Sequence, residues 1–464
     1  MKRINKIISI KTTGLLLLVV LVIGSCKVTE NYKRPSGITD SKLFRDANGS
    51  DTTNIATIPW KKMFSDTLLQ GLIQEGIEHN TDLMIAMARI RQAQANLRQS
   101  KAAFFPTLEG NAAVSEGKVA GTGIKSESYE LYASSTWEVD IWGKLRNSKR
   151  AAVAALMQSD AYKKAVQTQM VSDIATDFYT LQAYDAQLQI TLKTVENRKQ
   201  DVVTMNQLKE SDVVTGAAVV QSEANRYSVE VTIPDLEQNI RVTENALSIL
   251  LGRDPGSIER DSLNTTLGWT DLKTGVPLQL LSNRPDVVEA EYQLRYYYYL
   301  TNSAKAYFYP SLTITAQGGF SNGNLSQLFN PSSLFGNVMA GLVAPVFEHG
   351  LNKQRLEIAK AQQEEYLANF KKTILNAGQE VSNALYNYQA ATDKIKIREL
   401  QISFLQKSVD YTKELLKYSA NTNYTDVLTS EQSLLAARLS SVNDKVQQLQ
   451  AVISLYRSLG GGWR

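Results

Sequence analysis

The stretch WEVDIWGKLR, Trp137 to Arg146, and its later echo APVFEHGLNK, Ala344 to Lys353, decide the fold. Each follows an alternating, glycine-dotted run that reads as β-strand, passes a single glycine (Gly143, Gly350), and opens a very long helix-patterned run. The two glycines are 207 residues apart (350 − 143) in a chain of 464. That spacing predicts two copies of one strand-to-helix unit in a chain too long for one ordinary domain.

Upstream of Gly143, Leu108 to Val139 alternates with period two. Tyr129, Leu131, Ala133, Trp137 and Val139 share one parity, and Glu130, Ser134, Thr136 and Glu138 the other. Two strands joined by a loop near Glu116 to Ser126 are expected, each able to reach the roughly 9 to 11 residues of a membrane-crossing strand. Leu312 to Ser321 and Leu334 to Val343 read as two more. Downstream of Gly143, Val171, Ile174, Phe178, Leu181, Leu188, Leu192 and Val195 form a helical stripe. A helix from Leu145 to Lys209 would be about 100 Å long, the length of a coiled coil or helical-barrel stave. It turns near Ser211 to Gly216 and returns to Leu251, with Pro234 expected to kink or restart the return. After Gly350 the stripe is Leu367, Phe370, Ile374, Ala377 and Val381, a turn falls near Ala420 to Asn423, and a clean heptad runs Leu435, Leu439, Val442, Val446, Leu449, Ile453, Tyr456.

Shorter echoes support duplication. Lys101, Ala102, Phe104, Phe105, Pro106, Thr107 and Leu108 match Lys305, Ala306, Phe308, Tyr309, Pro310, Ser311 and Leu312 at an offset of 204, and Val219, Ser222 and Glu223 match Val427, Ser430 and Glu431 at 208. Helical runs near Trp60 to Leu97 and Asn283 to Tyr299 precede the strands and end at Pro106 and Pro310. The expected organisation is a signal peptide over 1–25, a lipidated tether over 26–59 and a first repeat over 60–252, with strands about 108–139 and long helices about 144–251. A linker over 253–276 and a second repeat over 277–464 follow, with strands about 312–343 and helices about 351–459.

The first 25 residues carry Lys2, Arg3, Lys6 and Lys11 and no acid, so the remainder holds 46 basic residues (50 − 4) against 46 acidic ones. A neutral processed chain removes the broad electrostatic case for nucleic-acid binding. The apolar core from Gly14 to Ile23 is too short to span a bilayer and reads as a signal peptide. Cys26, the only cysteine, follows Ile-Gly-Ser and resembles a bacterial lipobox, in which the cysteine is lipidated and becomes the mature N-terminus. One acyl chain binds membranes marginally, so a second membrane element is expected. Four strands cannot close a barrel, which needs about eight, and open backbone edges are not tolerated in lipid. A ring of identical chains solves both problems and leaves a central pore.

With these parts in place the chain resembles the TolC-like outer-membrane factor family, in its lipoprotein branch serving drug and metal efflux. The residues that carry the resemblance are Trp60, Asn80 to Leu83, Phe105-Pro106, Asp140 to Arg146, Asn283-Arg284-Pro285-Asp286-Val287, Ala304 to Leu312, Ala344-Pro345-Val346-Phe347, Ala377 to Val381, Tyr424 to Leu428 and Leu459 to Trp463. The resemblance implies a mainly α fold with a β membrane portion: a homotrimer forming a 12-stranded barrel in outer-membrane lipid, continued by an α-helical barrel through the periplasm. It also implies a periplasmic adaptor and an inner-membrane pump as partners, and a passive exit duct for small molecules, drugs or metals.

The same resemblance places a periplasmic aperture at the helix turns. Asp426, in Asn423-Tyr424-Thr425-Asp426-Val427-Leu428, is the first candidate, with Tyr424 beside it, Thr429 where some members carry a second acid, and Asp212 at the other turn. Three copies of one aspartate would make a carboxylate ring of the kind that selects cations. Trp137 and Trp142 are candidates for an aromatic belt, whereas Tyr296 to Tyr299 reads as helix-surface packing. No catalytic set, cofactor motif or metal spacing is found, since His79 and His349 stand apart and His349 lies at a junction. The competing expectation is a structural or adhesive surface coiled coil.

Overall fold

The computed structural model describes residues 29–37, 43, 54–118, 125–263, 279–418 and 424–464. The expected signal peptide, Cys26, much of the tether and linker, part of the first strand loop and the turn near Ala420 lie outside the described residues. In chain order the main elements are α1 (Thr67–His79), α2 (Thr81–Ala102), β1 (Thr107–Lys118), β2 (Lys125–Val139), α3 (Lys144–Glu210), α4 (Gly216–Glu230) and α5 (Thr232–Leu250). They continue with α6 (Pro285–Ala306), β3 (Ser311–Asn322), β4 (Leu334–Val343), α7 (Leu351–Tyr418) and α8 (Tyr424–Ser458). No described helix is long and apolar enough to cross a membrane.

Element lengths repeat as the echoes do. Both α2 and α6 have 22 residues, β1 and β3 have 12, and α3 and α7 have 67 and 68. The 35 residues of α8 correspond to α4 and α5 together, broken at Val231. Pro234 falls in the first turn of α5, where its missing N–H costs no helical hydrogen bond, so the proline restarts the helix. The helix expected from Asn283 begins at Pro285, because the residue before a proline is pushed out of helical geometry and Arg284 is extended.

The chain forms two compact units, each drawn from both halves: 1–36, 90–158 and 290–370, then 37–89, 159–289 and 371–464. The first holds a four-stranded antiparallel sheet in the order β1-β2-β3-β4, so β1 and β4 are its edges. In the second unit, α8 bonds to α3 through Gln187 to Asn443 (2.8 Å) and Gln450 to Thr180 (3.1 Å). It bonds to α7 through Arg398 to Asp444 (2.9 Å) and Gln448 to Thr392 (2.9 Å). The stripe residues Val171, Ile174, Phe178 and Leu181 are fully buried, as are Phe370, Ile374, Ala377 and Val381. Leu192 departs from its expected stripe and is 43% exposed: the buried line continues instead through Thr191, Val195 and Arg198, as a helix of 3.6 residues per turn drifts from a strict heptad.

The second unit also contains a clasp made twice. Asn80 Nδ2 donates to Leu250 O at 2.8 Å, and a Cβ on Gly252 would meet His79 O at 2.2 Å. In the other half, Arg284 Nη1 donates to Ser458 O at 2.8 Å, and a Cβ on Gly460 would meet Asn283 O at 2.4 Å. The donors are 204 positions apart and the acceptors 208, so one closure is built with an amide in one half and a guanidinium in the other. Arg284, buried, also pairs with Asp286 (2.6 Å) in its own motif and with Glu380 (2.9 Å) in the Ala377 to Val381 motif, so two separate sequence motifs meet on one side chain.

Candidate functional site

Three features of the sequence reading can be located: the sheet, the strand-to-helix junctions and the helix turns. The sheet's register separates its side chains by chemistry. Leu108 pairs with Ser135, Ala112 with Leu131 and Val114 with Tyr129, and β2 then sets Val139 on Leu312, Trp137 on Ile314 and Leu131 on Phe320. β4 extends the same face with Leu342, Ala340, Val338 and Leu334. Successive strand residues point to opposite faces, so the other face holds Glu109, Asn111, Glu130, Ser134, Thr136, Glu138, Thr315, Gln317 and Asn337, interspersed with Tyr132, Phe335, Met339 and Val343. Hydrogen bonds run along it, from Asn111 Nδ2 to Ser134 Oγ (3.0 Å) and from Ser321 Oγ to Glu130 Oε1 (3.4 Å). The apolar face is uncovered within the chain: Leu108 and Val338 are 79% and 77% exposed.

At the junctions, Gly143 and Gly350 both take left-handed backbone, with φ of +79° and +80°. Gly143 sits between Asp140, whose carboxylate accepts from the backbone N–H of Leu145 (3.0 Å) and Arg146 (2.9 Å), and Asn147, whose Nδ2 donates to Gly143 O (2.6 Å). The acid thus satisfies free N–H groups at the start of α3. At the second junction Asn352 Nδ2 donates to Glu348 Oε2 (2.7 Å) and Tyr307 O (3.1 Å). His349 packs edge-on to Phe347, and its own φ of +51° marks it as part of the turn. Trp137 lies on the apolar face, whereas Trp142 stacks on Tyr309 and donates Nε1 to Pro310 O at 2.7 Å.

At the helix turns the expected residues divide. Asp426 and Thr429 are exposed on the first turns of α8, with Thr429 Oγ1 donating to Thr425 O at 2.8 Å. Tyr424 points inward onto Met205 and Val427, and burial raises its phenol above the usual range. Asp212 is exposed and left-handed, φ +56°, in the turn after α3. Beside them is a buried charge network: Arg198 pairs with Glu431, and Lys413 with Glu431 (2.6 Å) and Asp201 (3.0 Å), tying α3, α7 and α8 together. Burial raises the Glu431 carboxyl despite the two cations. The sequence marks Glu431 only as the echo of Glu223, which pairs within its own helix with Arg226 at 3.2 Å. Arg198 carries no signal at all, because a charged residue on a stripe reads as solvated.

The chain matches the model of the family described as "Outer membrane efflux protein" over residues 72–253 and 276–461. It is 29% identical over 454 residues to the cation efflux system protein CusC of Escherichia coli O6:H1, covering 96% of this chain and 98% of that one. It is 26% identical over 466 residues to SilC of Salmonella typhimurium, a probable outer membrane lipoprotein, covering 99% of each. A solved structure of CusC, studied for folding and transmembrane channel formation, superposes with a TM-score of 0.85 at 27% identity over 94% of this chain and 99% of that one.

Proposed function

The chain belongs to the outer membrane efflux protein family, and we propose that it is the passive exit duct of a tripartite efflux system. The observation that carries this reading is the sheet: four strands with one apolar face, one polar face and two unpaired edges. In water that apolar face is a liability, and in lipid the open edges are. Three copies joined β4 to β1 give twelve strands and remove both, with lipid outside and a polar lumen inside. The long helices of the three copies then form a tunnel extending into the periplasm, towards an adaptor and an inner-membrane pump that supplies the energy. Drugs or metal ions are the proposed cargo class, chosen by the pump.

In this reading residues 1–25 are removed, Cys26 is acylated, and 60–252 and 277–464 are the two repeats joined by 253–276. Gly143 and Gly350 mark the handover from barrel to tunnel. Asp426 rings the aperture, with Thr429 on the same exposed side and Asp212 at the neighbouring turn. Tyr424 supports the ring from within. Native mass measurement of the detergent-purified protein tests the assembly: three copies are expected, and a monomer or dimer as the sole species contradicts it.

A further inference from the structure

The sheet face that carries the polar residues has one aromatic row. Tyr132 of β2, Gly319 of β3 and Phe335 of β4 stand side by side in register, and the two rings lie 6.0 Å apart at 60°. Residues two strands apart are separated by roughly 9.5 Å of backbone, so both rings lean inward over the glycine between them. Only glycine permits this. A Cβ at 319 would stand 2.5 Å from Tyr132 Cβ and 2.2 Å from Leu131 O. The rings therefore form an angled platform over bare backbone, and both are half-buried, so their outer faces stay open on the side away from the sheet.

The platform's surroundings are acidic. Glu130, two residues before Tyr132 on the same face, accepts from Ser128 Oγ and Ser321 Oγ, both at 3.4 Å, hydroxyl contacts that leave its charge uncompensated. Glu109 lies one row to the other side, opposite Ser134. Glu138, further along, is held by Lys144 at 2.6 Å. No lysine or arginine of the described strands lies on this face. Ring faces attract cations, and quaternary ammonium groups are the ligands that aromatic walls recognise best. We propose that Tyr132 and Phe335, with Glu130 beside them, are a lumenal subsite for organic cations, on which cargo with an ammonium group and an apolar body rests during passage. Hydrated metal ions, whose charge stays wrapped in water, gain nothing from the rings and meet only the carboxylates. The subsite rests on the reading of the polar face as the lining of the duct.

The test measures block of ion current through planar bilayers holding the purified assembly, with benzyltrimethylammonium as the probe and benzenesulfonate as its anionic counterpart. Benzyltrimethylammonium is expected to reduce the current saturably, and benzenesulfonate to leave it unchanged. Tyr132→Leu and Phe335→Leu are each expected to raise the half-blocking concentration at least fivefold, while Tyr132→Phe, which keeps the ring, holds it within about twofold. Glu130→Gln is expected to raise it about threefold by removing one nearby charge, and its equal size lets it carry the test should the leucine variants yield no inserted trimer. A half-blocking concentration unchanged in Tyr132→Leu, Phe335→Leu and Glu130→Gln overturns the subsite, and so does equal block by benzenesulfonate. Inserted trimers that pass no current at all overturn the duct itself, and the role in passage falls with it. A conducting pore with no block overturns the subsite alone.

Discussion

At the scale of single residues, the two junction glycines separate by their surroundings. A side chain in left-handed backbone costs about 1–2 kcal/mol, and that is the whole expected cost at Gly350, where a Cβ meets nothing within 4 Å. At Gly143 it would also stand 3.3 Å from Asn147 Nδ2 and 3.5 Å from Thr29 Oγ1. Alanine at 143 is therefore expected to lower the denaturant midpoint of the purified assembly more than alanine at 350, and the β-branched Gly350→Val to reduce trimer yield. Equal midpoints for both alanine variants and the wild type, or a normal yield from Gly350→Val, contradict this. Both positions were legible because one glycine between a strand pattern and a helix pattern has few other uses. Arg198 and Glu431 were not, because periodicity assigns charges to the solvent side and cannot see a partner 233 positions away.

At the scale of elements, the long helices display what a single chain leaves unfinished. Ile397, Leu400, Phe404, Tyr411, Leu415 and Tyr418 are exposed along α7 at steps of 3, 4, 7, 4 and 3. Val220 and Tyr227 on α4, Val231 at the break, and Val242 and Ile249 on α5 form a second exposed line at steps of 7, 4, 11 and 7. Such heptad lines are coiled-coil seams without a partner. Burying two aromatic rings contributes roughly 3–6 kcal/mol. Phe404→Glu with Tyr411→Glu is thus expected to weaken association at least hundredfold, read as a shift from trimer to monomer by mass, with helical content by circular dichroism unchanged. An unaltered trimer would show that the α7 line is not the seam. The strands and long helices were legible from period and length, since both patterns run for many residues. The contact of Tyr132 with Phe335 was not, because period alone leaves the pairing of distant strands open.

At the scale of the whole molecule, the duplicated sequence predicts a unit that cannot be complete alone, and the described parts agree in kind. The sheet has two open edges and an uncovered apolar face, and the helices have two uncovered seams. Membership of the efflux family follows from a match over most of the chain. How copies would join was only implied by resemblance, because strand register between copies leaves no trace in one sequence. The proposed duct is a continuous conducting path, which ion current through planar bilayers containing the purified assembly would register. Discrete conductance steps are expected, with Asp426→Ala lowering the preference for cations over anions several-fold. Intact trimers that insert but pass no current, with or without Asp426→Ala, would contradict the duct.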